Sequence, residues 1–155
     1  MFAINKSLNL QGDFMAQKIT YQPKVNYYII AIASVLKDYR LSFFINQELH
    51  LNLEKTEDLI SSNKTKDQAK KFGLYYFLDE KSEFEYYLLQ NKQQGEVFIK
   101  TYKNFDFLFI VKTIDEDSID ISSLFDKIKS IDDIQLAMVL DSLKKVDQKV
   151  IEKDI

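Results

Sequence analysis

The sequence predicts an α+β domain, a mostly antiparallel sheet with two helices packed on one face. Three observations predict it. Several short segments are rich in aromatic and β-branched residues, and two of them lie three residues apart, the spacing of a hairpin. Two other stretches repeat apolar residues at helical spacing. The elements follow in the order strand, helix, a run of hairpin-connected strands, helix, strand.

Residues 1–24 are polar and weakly patterned up to Pro23, so they read as an N-terminal arm. The single domain spans residues 25–145, and residues 146–155 form a C-terminal tail. Residues 26–33, NYYIIAIA, are apolar on both faces and fit an interior strand. Ser34 is placed to N-cap a helix of about four turns through residues 35–49. Leu51 and Leu53 alternate with polar neighbours as a short strand, and the charged stretch 54–71 reads as a surface loop. KFGLYYFLD and EFEYYLLQN, separated by EKS, form the hairpin. Gly95 breaks the chain before a short strand, EVFIK. NFDFLFIVK, again apolar on both faces, reads as the most central strand.

Residues 113–131 predict a helix entered through acidic residues that complement its positive end, capped by Asp117 or Ser118. Its apolar stripe is Ile121, Leu124, Phe125 and Ile128. DIQLAMVLD returns as a strand. The last segment, LKKVDQKVIEKDI, is expected to be frayed or partly docked.

Composition narrows the chemistry. The chain of 155 residues contains no Cys, which excludes disulfides, thiolate metal sites and a thiol nucleophile. One histidine, His50, follows the first helix, where it can meet the last carbonyls; no GxSxG elbow accompanies it. Three glycines, at positions 12, 73 and 95, allow neither a Walker loop nor a dinucleotide fingerprint. The net charge of −3 supplies no positive field for direct nucleic-acid contact. Lys64, Lys66, Lys70 and Lys71 lack interleaved aromatics and read as a solvated loop. The longest apolar run, about nine residues from Tyr27, falls short of the ~20 that span a bilayer. Nor does the N-terminus look like a secretory signal, so a cytoplasmic protein is expected. Counted from Asp115, a calcium loop fails at Ile119 and Asp120. No catalytic residue, metal or cofactor is assigned.

LKDYRL at residues 36–41, followed by Phe43, Phe44, Ile45 and Asn46, resembles the strongest block of the IPExxxVDY family of small Bacteroidetes proteins. YYLLQNK at residues 86–92 resembles its second block, a strand ending in an Asn-containing turn. The naming motif falls at residues 99–107, IKTYKNFDF. There Ile99 and Asp106 match, Phe105 and Phe107 stand in for Val and Tyr, and Lys100 and Thr101 replace Pro and Glu. The resemblance implies a shared α+β domain in a bacterial cytoplasm, with no established activity. It also implies a genomic setting near ribonuclease III, fatty-acid synthesis and pyruvate kinase.

Arg40 is the only arginine among 21 basic residues. At ~100° per residue it falls between Leu36 and Phe44, inside an apolar sector of the predicted helix. A guanidinium buried there needs a bidentate acceptor. Two readings follow: capture of a carboxylate or phosphate, or a structural ion pair with Asp106 at the head of the central strand. Asp38, Tyr39, Arg40 and Asp106 are therefore the candidate cluster. A second candidate is a protein interface on the hairpin, made by Tyr75, Tyr76, Tyr86 and Tyr87, with rings exposed on the side away from the helices. The alternative is a sheet whose tyrosines pack in the core. The expectation from these features is a non-catalytic protein-binding or adaptor domain, with self or another protein as partner, and a possible homo-oligomer. Alternatives are an accessory factor linked to RNA processing through a protein, or a small anion-binding enzyme centred on Arg40.

Overall fold

The computed structural model describes residues 4–8, 14–18, 20–61, 67–115, 118–140 and 145–155. In chain order the elements are β1 (Ile4–Leu8), β2 (Phe14–Lys18), β3 (Asn26–Ser34), α1 (Asp38–Leu49), β4 (Glu54–Lys55), β5 (Leu59–Ile60), β6 (Lys71–Phe72), β7 (Leu74–Asp79) and β8 (Phe84–Gln90). They continue with β9 (Lys92–Gln93), β10 (Glu96–Val97), a 3-10 turn (Lys100–Tyr102), β11 (Phe107–Thr113), α2 (Ile121–Lys129), β12 (Ile134–Leu140) and α3 (Lys145–Asp154). The fold is α+β.

Six strands form the main sheet in the order β12–β3–β11–β8–β7–β4, and every neighbouring pair is antiparallel. As their two apolar faces require, β3 and β11 lie inside the sheet. The hairpin of β7 and β8 pairs Tyr75 with Leu88 and Tyr76 with Tyr87, so alternate rings enter opposite faces. On one face Ile30, Ile32, Tyr75, Tyr86, Leu88, Phe107, Phe109 and Val111 meet Leu41, Ile45 and Leu49 of α1 and Ile128 of α2. Each fully buried aliphatic or Phe side chain there contributes about 1.5–3 kcal/mol relative to exposure. The predicted α2 stripe is correct: Ile128 is buried, and Ile121, Leu124 and Phe125 pack against the same core.

A second core lies on the other face, where Ile29, Ala31, Tyr87, Leu89, Leu108 and Ile110 meet Ile99, Phe105 and Ile151. Ile151 belongs to α3, so the C-terminal segment expected to be a tail is a helix docked by a buried anchor. Within the arm, β1 and β2 pair antiparallel in a ladder of their own.

Other boundaries move for local reasons. Ser34 does not cap α1. It ends β3, its hydroxyl donating to the Asp133 carbonyl and accepting from the Leu36 N–H. The helix then starts at Asp38 and makes three turns rather than four. Asp117 lies outside the described residues; the α2 cap is Asp120, whose carboxylate accepts the Ser123 N–H at 3.0 Å. The strand expected at Leu51 and Leu53 does not form there; the next strand, β4, begins at Glu54. The Asn46 amide holds Leu53 instead, accepting its N–H at 2.8 Å and donating to its carbonyl at 3.1 Å. The strand expected over residues 96–100 ends at Val97, because β9 and β10 close through Gln94 and Gly95. Both have positive φ (48° and 80°), the pattern of a tight two-residue hairpin turn.

Candidate functional site

α1 carries apolar residues on two sides. Leu41, Ile45 and Leu49 recur every four residues and face the core, so the opposite side faces out. On that outer side Tyr39 is 61% exposed and Phe43 56%. Arg40 is exposed beside them, its guanidinium 5.8 Å from the centre of the Phe44 ring. Placing Arg40 inside a buried sector is therefore incorrect: the sector between Leu36 and Phe44 is the outer shoulder of the helix. The ion pair with Asp106 does not form either. The Asp106 carboxylate accepts the Ser34 N–H at 2.9 Å and lies 3.6 Å from the Lys92 ammonium.

Asp38 turns away from Arg40. Its carboxylate accepts the Tyr75 hydroxyl at 3.3 Å and sits 3.5 Å from Lys55, which also pairs with Asp58 at 2.6 Å. Burial, then the Asp38 charge and hydrogen bond, push the Tyr75 phenol up to about 12. Gly73 makes this arrangement possible: a Cβ there would stand 2.7 Å from the Asp38 carboxylate and 2.8 Å from the Lys55 ammonium. Thus the predicted cluster divides. Tyr39 and Arg40 share the outer face of α1, whereas Asp38 and Asp106 each satisfy a different part of the scaffold.

The tyrosine-rich hairpin is not an exposed surface. Tyr75, Tyr86 and Tyr87 are buried and Tyr76 is half-buried, because both faces of the sheet are covered. The hydroxyls of Tyr76 and Tyr87 share an internal acceptor. Glu85 accepts from Tyr87 at 2.5 Å and from Tyr76 at 3.4 Å, and Lys112 lies 3.1 Å from it. Burial opposes the Glu85 charge, but the bonds from Tyr87 and Lys112 outweigh it and hold the carboxyl below its ordinary value. Burial and the bond to Glu85 push the Tyr87 phenol upward.

Two features escaped sequence reasoning. Asn91, buried, donates to the carbonyls of Ile99, Tyr102 and Phe105 and accepts the Ile99 N–H at 2.8 Å. It shapes the loop that leads into β11, and its position at the end of YYLLQNK was the available signal. The other is the edge position of β12: the strand itself was expected, but at the edge its Leu136 and Met138 are 54% and 44% exposed. Among the described residues, no group of three or more His, Cys, Asp and Glu is arranged to hold a metal ion, and no helix is long and apolar enough to cross a membrane.

What the site offers chemically is contact: two exposed rings and a guanidinium on one helix. Compared with protein-family models, with curated proteins and with solved structures, the chain gives no match.

Proposed function

We propose that this chain is a non-catalytic protein-binding domain that engages its partner through the outer face of α1. The carrying observation is the exposure of Tyr39 and Phe43, one helical turn apart, with the chain's only guanidinium beside them. Large apolar side chains of a monomeric surface are usually scattered singly. Tyr and Arg are the residue types that dominate binding energy in interfaces. Asp38 is occupied with Lys55 and Tyr75, so the exposed charges next to these rings in sequence are Lys37 and Arg40, with exposed Glu48 near the other end of the helix. The fitting partner is an apolar protein surface that carries a carboxylate within reach of Arg40.

The test is quantitative affinity capture from native lysate with the wild-type chain and with Tyr39→Ala/Phe43→Ala as paired baits. Because both rings are exposed, the variant keeps its thermal midpoint. The expected result is a protein enriched on the wild type and lost from the variant, with an affinity drop of about thirty-fold for a hot spot near 2 kcal/mol. Equal recovery by the two baits of every protein captured would defeat the proposal. Recovery of ribonuclease III or ribosomal proteins as the sensitive species would assign the partner to RNA processing, the setting that the IPExxxVDY resemblance implies.

A further inference from the structure

We infer that β12 is the seam of a symmetric homodimer, in which it pairs antiparallel with β12 of a second copy and the two six-stranded sheets continue as one. The main sheet has two edges, and they differ sharply. β4, at one edge, is two residues long, and both, Glu54 and Lys55, are charged and exposed. Short length and charge are how a sheet edge is blunted against further pairing. β12, at the other edge, runs for seven residues, IQLAMVL, with no charge, no Pro and no Gly. Its only irregularity is a register shift between Ile134 and Leu136. From Leu136 to Leu140 it pairs regularly with β3, and among the described residues no strand pairs with its outer side.

From Leu136 onward both faces of β12 are apolar. Ala137 and Val139 pack into the core beneath the helices. Leu136 and Met138 project on the other face, beside the small Ala33 and Ala31 of β3, and remain largely exposed. A second copy covers them. In an antiparallel pair centred on Met138, Leu136 stands opposite Leu140 of the other chain, and Ala137 opposite Val139. Such cross-strand apolar pairs are the stabilising units of a sheet. Residues 134–140 carry no charge, so self-pairing in this register sets no like charges opposite each other. A two-fold axis makes the contact isologous and closed, which stops growth at two copies.

Light scattering after size exclusion decides the matter on the full chain at about 0.1 mM, a concentration that populates any dimer with a Kd of about 10 μM or tighter. The expected mass is twice 18.3 kDa for the wild type. Met138→Lys, which places two ammonium groups at the axis, is expected to run at the mass of one chain with unchanged circular dichroism. A monomeric wild type, or a Met138→Lys protein as dimeric as wild type, overturns the inference. The absence of native cysteine supplies a second readout that does not need a lysine to be tolerated. Under mild oxidation Met138→Cys is expected to cross-link into dimers, since opposed Cβ atoms in an antiparallel pair lie near disulfide range. Val35→Cys, exposed at the start of the α1 region, is the control; equal yields from the two variants overturn the inference as well. Tyr39→Ala/Phe43→Ala leaves the dimer intact, so the α1 proposal and this one fail separately.

Discussion

Asn91 shows how much one amide can determine. Its nitrogen serves three carbonyls and its oxygen one N–H, all from the loop between β8 and β11. Asn91→Ala leaves those groups buried and unpaired, at ~1–3 kcal/mol each for the ones that water cannot reach. A loss of at least 3 kcal/mol is expected in urea unfolding, and Asn91→Asp, which sets an acceptor against three carbonyls, is expected to be no better. Arg40 teaches the converse lesson at the same scale. Its rarity and its position on the wheel were legible, but the wheel gave only its neighbours. Which side of a helix faces the core is decided by the sheet beneath it, and here the core took Leu41, Ile45 and Leu49.

α1 is hard to read as an element because it is apolar on both sides, and its ends are set by contacts rather than by capping residues. Lys37 stands at its N-cap without a side-chain bond, and His50 closes its C-terminus at φ 55°, donating its N–H to the Asn46 carbonyl. A non-glycine residue in that left-handed conformation is strained. His50→Gly is therefore expected to stabilise the protein by about 0.5–1 kcal/mol, read as a raised thermal midpoint with the fold unchanged. Strands with two apolar faces, at residues 26–33 and 104–112, were legible because burial on both sides leaves no polar alternation. α3 was not. Val146, Val150 and Ile151 are its only apolar residues before Ile155, too sparse a pattern to announce a docked helix. What fixes it is a second core on the far face of the sheet, which no local window of sequence reports.

For the molecule as a whole, the covered far face also explains why the tyrosines mislead. Ring density was visible in the sequence, yet their surroundings depend on segments that return from later in the chain, such as Ile99, Phe105 and Ile151. This burial makes stability depend on pH at both ends. The folded Glu85 carboxyl titrates below its ordinary value of 4.5, so its contribution is complete above that pH and is lost as pH falls through the folded value. Wild type and Glu85→Gln are expected to differ most near neutrality and to converge in acid, measured by thermal unfolding from pH 7 to 3. At the alkaline end Tyr75 is raised to about 12 and Tyr87 is raised as well. Their stabilisation is complete below pH 10 and is lost as pH climbs through the folded values; Tyr75→Phe and Tyr87→Phe flatten that loss. The edge position of β12 was equally hidden, since a strand carries its composition but not its place in the sheet.

The strand order carries a consequence for how the chain comes off the ribosome. β7 and β8 are adjacent in sequence and pair as soon as both are made. β3 is made early, but both of its neighbours, β11 and β12, come late, and the hydroxyl of Ser34 finds its acceptor 99 positions downstream. An apolar strand therefore waits unpaired through most of synthesis, and the sheet's interior closes only when its last strand arrives. Long-range pairing of this kind makes folding slow and exposes a sticky intermediate. The chain is thus expected to aggregate when it is cut short anywhere before residue 140.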